Sequence, residues 1–412
     1  MSPDPPRRLL LLGGGLAHLH LLASLRQQPL PGVQVTLVTP QPRLVHAGML
    51  AGFVAGQHAL AECTTLLEPL VQQSGARWLA ARAVKLDAPA NALLLDDGTT
   101  LKFDWLSLCQ EPMQDRDALE RALPGAREHG LFVRPLHAFC ALWPRVPELA
   151  AAKALRVAVI GGWGGTEVGA PVGTEMVDAD ASSGLAVELA LAIRHRLPGS
   201  AVTLVTGGAP LAPGCPPTLQ KRLAQALRQR NVTVLADCAV QLHAGEIALG
   251  SGARLACDVP VLATRPIAPA WLAGSGLALD GQGWLAVDAC GRSISHAHVF
   301  ATDPSSADPN ASPSARPNAS PAHRDPAFAS ARSTHAVAAR FAANLAAAVA
   351  GQPVRPQPPA AHPLRLVSCG DGHAIAAWGR YCAQGHWVGW LKQRMDRAWI
   401  VQHAGLESKN NL

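Results

Sequence analysis

The 412-residue sequence has few aromatic and charged residues, which make up 4% and 16% of it, and many alanines and leucines. The shortage of aromatics argues against an aromatic-rich β-sandwich and favours alanine-rich helices packed on sheets. The low charge argues against a disordered chain, because disordered segments combine low hydrophobicity with high net charge. Lysine is scarce and arginine is scattered, so the net charge of +6 gives no basis for a nucleic-acid partner.

Closely paired cysteines and long apolar runs are also missing. The nine cysteines form no C-x-x-C or C-x4-C pair, so we predict free thiols in a reducing cytoplasm and no metal site. Arg7-Arg8 and Leu9–Leu12 begin like a signal peptide, but three glycines and two histidines interrupt the apolar run at once. No run approaches about 18 consecutive apolar residues, the length of a membrane span. We therefore expect a cytoplasmic protein.

Two segments share one order of elements: strand, glycine turn, helix, strand. In the first segment these are Arg8–Leu12, Gly13–Gly15, a helix to about Gln28, and Val33–Val38. In the second they are Leu155–Ile160, Gly161-Gly162, a helix over about 183–196, and Ala201–Val205. This order is the βαβ unit of doubly wound folds. Two copies predict an α/β protein with two Rossmann-like dinucleotide-binding domains.

The first glycine turn is suited to a dinucleotide. In Gly13-x-Gly15-x-x-His18, glycines let the backbone approach a pyrophosphate, and the following helix offers unpaired N–H groups and the positive end of its dipole. His18 stands where a third glycine is usual. Thr39 and Thr206 replace the acidic residue that usually ends the second strand of each unit, so we expect weaker binding of the ribose.

Shorter strand-like runs predict a small meander in each half. They are Arg82–Asp87, Ala92–Leu95 and Leu101–Leu108, then Val232–Leu235, Gln241–Leu249 and Asp258–Ala263. The Pro-, Ser- and Asn-rich stretch at 304–330 predicts a flexible insertion, and the pattern after it predicts a helix over Thr334–Ala350.

Further motifs resemble the FAD-dependent pyridine nucleotide-disulfide oxidoreductases. The similar branch is that of type II NADH dehydrogenases and of the flavoprotein module fused to selenide, water dikinase. The motifs include Gly13–His20, Val35–Thr39, Ala47–Gly56, Phe103–Leu108, Phe132–Leu136, Val187–Ala192, Pro269–Leu272 and Val299–Asp303, followed by the Trp-rich C-terminus. The resemblance implies a glutathione-reductase-like FAD/NAD(P) fold. It also implies FAD in the first unit, NAD(P)H as substrate in the second, and hydride transfer between them.

The resemblance also implies the cofactor-binding residues. On the FAD side they are Gly13, Gly14, Gly15 and His18 at the pyrophosphate, Thr39 and Arg43 at the ribose and adenine end, Gly48 and Met49 beneath the flavin, and Asp303 at the ribityl chain or phosphate. On the nicotinamide side they are Gly161, Gly162 and Glu188. His46 and His335 are placed near the flavin, where packing is the more common role of a histidine. No catalytic residue is assigned, because hydride transfer needs no side-chain base.

Several positions depart from the family pattern. Residues 163–181 split the second glycine loop and bring four acids, Glu167, Glu175, Asp178 and Asp180, which oppose a pyrophosphate. Ala186 takes the place of the third glycine there. Glu111 and Arg265 replace glycines that end two strand motifs, and the glycine before Asp303 is missing. We therefore expect FAD binding to persist better than NAD(P)H binding.

The segment Trp387–Ile400 mixes aromatic and apolar residues with Lys392, Arg394 and Arg397. This pattern is typical of an amphipathic helix in a membrane interface, as in related quinone-reducing enzymes, and equally of a helix docked on the protein core. Peripheral contact with the inner face of the membrane is the alternative to a purely cytoplasmic location.

We predict an FAD-binding domain built from both ends of the chain. Its parts are 1–130 and 281–350, with a nicotinamide domain at 131–280 between them and a short C-terminal extension at 351–412. The predicted function is an FAD-dependent NAD(P)H oxidoreductase that passes electrons to a quinone or another small acceptor. One alternative is a sulfide or selenium-compound oxidoreductase, which needs a reactive cysteine beside the flavin that the sequence does not nominate. The other is a degenerate flavin-binding module linked to selenophosphate synthesis.

Overall fold

Two five-stranded parallel sheets organise the molecule. The computed structural model describes residues 5–109, 113–162, 184–212, 215–264, 268–281, 283–302, 331–356 and 364–404. With elements numbered in chain order, the first sheet contains β1 Arg7–Leu12, β2 Val33–Val38, β5 Arg77–Leu79, β9 Trp105–Leu108 and β18 Val299–Ala301, in the spatial order β18-β9-β1-β2-β5. The second contains β10 Leu131–Phe132, β11 Arg156–Ile160, β12 Ala201–Val205, β13 Val232–Leu235 and β17 Val259–Leu262, in the order β10-β17-β11-β12-β13. The predicted α/β class is confirmed.

Smaller antiparallel units accompany the two sheets. They are β6 Ala83–Asp87, β7 Ala92–Leu95 and β8 Thr100–Lys102; β14 Ala239–His243, β15 Glu246–Leu249 and β16 Arg254–Ala256; β19 Arg365–Ser368, β20 Ala374–Trp378 and β21 Tyr381–Gly385; and the pair β3 Arg43–Val45 and β4 Thr64–Leu66. The helices are α1 Leu16–Leu25, α2 Leu50–Val54, α3 Glu68–Ser74, α4 Arg116–Ala122, α5 Ala126–His129, α6 Leu136–Leu142, α7 Arg145–Ala152, α8 Gly184–Arg196, α9 Pro217–Gln229, α10 Ala331–Val349 and α11 His386–Ala404. Short 3₁₀ turns span Ala47–Met49, Leu60–Cys63 and Ala270–Leu272.

Burial on both faces explains the apolar run of β1. Leu9 and Leu11 pack with α1 and α10, whereas Leu10 and Leu12 pack with the meander β6–β8. A strand covered on both sides needs apolar side chains at every position, which is the usual pattern of parallel sheets. The predicted βαβ units are thus correct, although α1 ends at Leu25 rather than near Gln28.

The predicted meanders were too large. Residues 105–108 leave the first meander and join the central parallel sheet as β9, and 232–235 and 259–262 join the second sheet as β13 and β17. The run Gln241–Leu249 is a hairpin of two strands rather than one strand. The cause is that a short apolar run fits a buried parallel strand as well as a meander strand. The domain boundaries at 130, 280 and 350 stay a prediction.

The C-terminal sheet packs on α8 and is part of the core. Val367 and Ile375 are buried in one cluster with Leu189 of α8 and Leu50 and Val54 of α2. This packing places β19–β21 and α11 beside the segment that contains Gly48.

Candidate cofactor and acceptor sites

The carboxyl ends of β1, β2, β9 and β18 meet at one edge of the first sheet, and the Gly13–Gly15 turn lies there. The Gly13 N–H donates to the Val38 carbonyl at 2.9 Å, and the Gly15 N–H donates to the Cys109 carbonyl at 3.0 Å. Gly13 has φ +96°, a conformation that glycine adopts without strain. The backbone is therefore held close to the ends of two neighbouring strands.

The turn fits the pyrophosphate of a dinucleotide. Helix α1 begins directly after Gly15, with no side-chain cap and no acidic residue in its first turn, so none of its own carboxylates opposes an anion at its positive end. The Cys109 thiol lies against the backbone N–H groups of Ala17 and His18. Burial raises the pKa of this thiol, so the sulfur is neutral at pH 7 and adds no negative charge.

His18 lies beneath the turn and is completely buried. Its Nδ1 is 2.6 Å from the Gly13 carbonyl oxygen, and its Nε2 is 2.8 Å from the Ser107 hydroxyl. A carbonyl only accepts, so Nδ1 carries the proton and Nε2 accepts from Ser107. Burial lowers the pKa of His18 to about 4, in spite of the bond to Gly13. In this position the ring ties the turn to β9; contact with the pyrophosphate itself remains a prediction.

The predicted ribose-side residues lie at the end of β2 and in β3. Thr39 is buried, and its hydroxyl oxygen accepts from the Gln41 N–H at 3.3 Å. Its carbonyl accepts from the Trp78 indole at 2.9 Å. Arg43 is exposed. Asp303, Glu111 and Arg265 lie outside the described residues, although Thr302 next to Asp303 is anchored to the end of β9 by its N–H bond to the Leu108 carbonyl.

Three histidines gather near the Gly48–Met49 turn. The rings of His46 and His335 are 6.4 Å apart, and His20 of α1 is 5.7 Å from His335. His46 Nε2 and the Thr65 hydroxyl are 2.8 Å apart. The structure thus brings together the two histidines singled out in the sequence. His20 was missed because sixteen histidines give no basis for choosing one.

The second glycine turn is tightly packed at the corresponding edge of the second sheet. The Gly161 N–H donates to the Val205 carbonyl at 2.9 Å. A Cβ at Gly162 would lie 2.7 Å from the Thr206 carbonyl oxygen, so only glycine fits. The Thr206 hydroxyl donates a hydrogen bond to the Leu235 carbonyl oxygen, and the two oxygens are 3.4 Å apart. The insertion at 163–181 lies outside the described residues.

Glu188 of α8 is directed towards the C-terminal sheet. The residue is 2% exposed, and its Oε1 accepts from the Ser368 N–H at 2.6 Å. It also interacts electrostatically with Lys392 of α11. The sequence pattern assigned Glu188 to the nicotinamide nucleotide, and that role remains a prediction. Its described contacts tie α8 to β19.

A small, partly open cavity lies between the Gly48 segment, the C-terminal sheet and α11. It is lined by Gly48, Met49, Gly52, Gln57, His58, Ser368, Gly372, His373, Ala374, Gly389, Lys392, Gln393 and Asp396. Lys392 Nζ donates to the Gly48 carbonyl at 2.6 Å and to Asp396 Oδ2 at 2.7 Å. Burial and Arg397 lower the pKa of His58, so this ring is neutral at pH 7.

Lys392 lies on the inner face of α11, a position that the sequence analysis did not single out. The sequence grouped Lys392 with the charged residues Arg394 and Arg397, which are exposed, but Lys392 is 8% exposed and faces the cavity. Its spacing of four from Asp396 was the available signal, because such a pair lies on one face of a helix.

Comparisons with known proteins agree with the fold. Over residues 7–302 the chain matches the family model described as pyridine nucleotide-disulphide oxidoreductase. The sulfide:quinone oxidoreductase of Aquifex aeolicus is similar in structure, with a TM-score of 0.72, 13% identity, and 97% of this chain and 92% of that one covered. NDH2 of Plasmodium falciparum, solved with NADH, has a TM-score of 0.70 and 12% identity over 98% of this chain and 99% of that one.

A third similar structure is the ferredoxin reductase for the CYP199A2 system of Rhodopseudomonas palustris. It has a TM-score of 0.64 and 19% identity, with 90% of this chain and 81% of that one covered. No curated protein sequence matches the chain. The family model covers well over half of the sequence and includes both glycine turns. The chain therefore belongs to the pyridine nucleotide-disulphide oxidoreductases and is an oxidoreductase that uses FAD and a pyridine nucleotide.

Proposed function

We propose that this enzyme passes electrons from NAD(P)H through FAD to a quinone taken from the membrane surface. FAD, when bound, accepts a hydride and passes its electrons on to an acceptor. The observation that carries the proposal is the position of the cavity. It lies between the Gly48–Met49 turn, which the family resemblance puts beneath the flavin, and α11, whose opposite face is aromatic and exposed.

The cavity suits a small acceptor with carbonyl oxygens. An ammonium group has three N–H donors, and Gly48 and Asp396 use two of those of Lys392. The remaining donor can bind an oxygen of the acceptor. Lys392 and Asp396 would orient the quinone head group in this way.

The outer face of α11 suits an anionic membrane surface. Trp387 and Trp390 are 60% and 62% exposed, and Tyr381 of β21, a strand that contacts α11, is 63% exposed. The Arg394 guanidinium lies 5.7 Å from the centre of the Trp390 ring. Aromatic rings sit well at the headgroup level, and arginines attract anionic lipids. Among the described residues, no helix is long and apolar enough to cross a membrane.

The cysteines argue against the sulfide-oxidising alternative. All nine are free. Burial raises the pKa of Cys109 at the glycine turn, and it raises that of Cys369 near the cavity to about 12. Thiols that stay protonated are poor nucleophiles, so neither residue suits the attack on a sulfur substrate.

Anaerobic titration of the purified flavoprotein tests the electron transfer. NADH or NADPH should bleach the visible absorption of the flavin, and a short-chain quinone added under argon should restore it. If neither nucleotide bleaches the flavin while sulfide does, the sulfide alternative is correct and the proposal is wrong.

Vesicle sedimentation tests the membrane contact. Vesicles with anionic lipid should bind the protein more strongly than neutral ones, and salt should weaken the binding. The double variant Trp387→Ser/Trp390→Ser should lose binding. The matched control Leu142→Ser/Leu149→Ser removes two equally exposed apolar side chains on α6 and α7 and should bind like the wild type. Equal binding by both double variants would contradict the assignment of the docking face.

A further inference from the structure

Helix α11 has two faces with different surroundings. Trp387, Trp390 and Arg394 are exposed on one face. On the opposite face Val388, Lys392 and Asp396, spaced four residues apart, are buried against the protein. Helix α11 therefore connects the proposed membrane surface with the cavity.

Lys392 is the polar link between the inner face of α11 and the Gly48 turn. Its ammonium donates to the Gly48 carbonyl at 2.6 Å and to Asp396 at 2.7 Å, and the side chains of the pair are 10% and 7% exposed. Although burial lowers the pKa of Lys392, the carboxylates of Asp396 and Glu188 more than compensate and raise it. The lysine is thus charged, and its bond to Gly48 is a charge-assisted one.

Stability alone does not explain this arrangement. A buried ion pair loses so much hydration that apolar residues in its place are often as stable or more stable. The pair is tied to the turn by the 2.6 Å bond from Lys392 to the Gly48 carbonyl, and Asp396 lies next to the same residue. A shift of α11 would therefore be transmitted to the backbone of Gly48.

We propose that Lys392 is a positioning residue that couples docking of α11 on the membrane to the Gly48–Met49 turn, and through it to the surroundings of the flavin. The inference rests on the proposed function, since it needs both a flavin at this turn and a membrane at the outer face. If this coupling exists, binding to the membrane that supplies the acceptor changes the surroundings of the flavin.

The test measures flavin fluorescence and reduction potential of the FAD-loaded protein, with and without vesicles containing anionic lipid. Sedimentation of the same samples reports binding separately. The wild type should show a shift of both signals on binding. The variant Lys392→Met/Asp396→Leu removes both charges together, so that Asp396 is not left buried without its cation, while Glu188 keeps its bond from the Ser368 N–H. It should bind vesicles like the wild type but lose the shift.

Two further variants separate coupling from general loosening of the helix. Lys392→Arg keeps a charged donor and should retain part of the shift. Arg397→Gln removes a different link of α11, the 3.4 Å and 3.7 Å contacts of Arg397 with His58 and Glu62, and should retain the full shift.

Several outcomes would overturn the inference. A wild type that binds vesicles without any shift would do so, as would a full shift in the double variant. If the wild type does not sediment with vesicles, the membrane part of the proposed function fails and the inference with it. If vesicles shift the flavin signals but no nucleotide bleaches the flavin, the electron-transfer proposal fails while the coupling stands.

Discussion

Gly15 lies so close to Cys109 that no side chain fits between them. A Cβ at Gly15 would be 2.4 Å from the Cys109 sulfur and 2.5 Å from its carbonyl oxygen. We predict that Gly15→Val lowers the free energy of unfolding by about 1–3 kcal/mol, as overpacking does, and that it also lowers FAD content. Urea unfolding and flavin released on heating measure both. Gly199→Val is the control, since its Cβ would meet nothing within 4 Å; equal effects would refute the argument.

The buried His18 makes stability depend on pH. Its pKa is about 4 in the folded protein, because burial disfavours the charged ring, and about 6.5 in an unfolded chain. The stabilisation is complete above pH 6.5 and is lost as the pH falls towards 4, because the unfolded chain takes up the proton first. This costs about 2 kcal/mol at pH 5 relative to pH 7.5.

Urea unfolding at these two pH values should show the pH dependence reduced in His18→Gln. The exposed His195 provides the control, and His195→Gln should leave the dependence unchanged. The prediction is wrong if His18→Gln is as sensitive to acid as the wild type.

At the scale of elements, both βαβ units could be predicted from apolar runs and glycine turns. The sheet to which each of the shorter strands belongs could not. The run 105–108 is short, and only its pairing with Leu9–Leu12 makes it a central strand. The cavity could not be predicted either, because Gly48, Ser368 and Lys392 are far apart in the sequence and meet only through packing. For α11 the docked reading is correct for the inner face, whereas contact of the exposed Trp387 and Trp390 with a membrane stays a prediction.

An insertion separates the second glycine turn from the helix that follows it. Residues 163–181 follow β11 and Gly162, and α8 begins at Gly184. Four acids in this segment oppose a pyrophosphate, so we predict that NAD(P)H binds weakly and that deleting 163–181 tightens binding. Stopped-flow reduction of the flavin compares the two proteins. A variant with the four acids changed to amides separates charge from length, and equal rates in all three would show that the insertion is irrelevant.

At the scale of the whole molecule, residues 364–404 are an integral part of the core rather than an appendage. Four of their side chains lie in the largest buried cluster, together with residues of α2 and α8: Val367, Cys369, Ile375 and Ala377. The Gly370 turn also packs on α8, where a Cβ would lie 2.8 Å from the Leu191 carbonyl oxygen. Removing this segment would expose the apolar surfaces of both helices.

We therefore predict that a chain ending at Gly351 does not fold into a flavoprotein. Exposing a Val- or Leu-sized side chain costs about 1.5–3 kcal/mol, so a handful of such losses reaches the whole stability of a typical domain, about 5–15 kcal/mol. Soluble yield, melting temperature and FAD content measure the effect. The variant Trp387→Ser/Trp390→Ser changes only exposed side chains of the same segment and should melt like the wild type. A truncated chain that retains FAD and a sharp thermal transition would mean that the C-terminal sheet serves only for docking, since its packing on α8 would then contribute little to the fold.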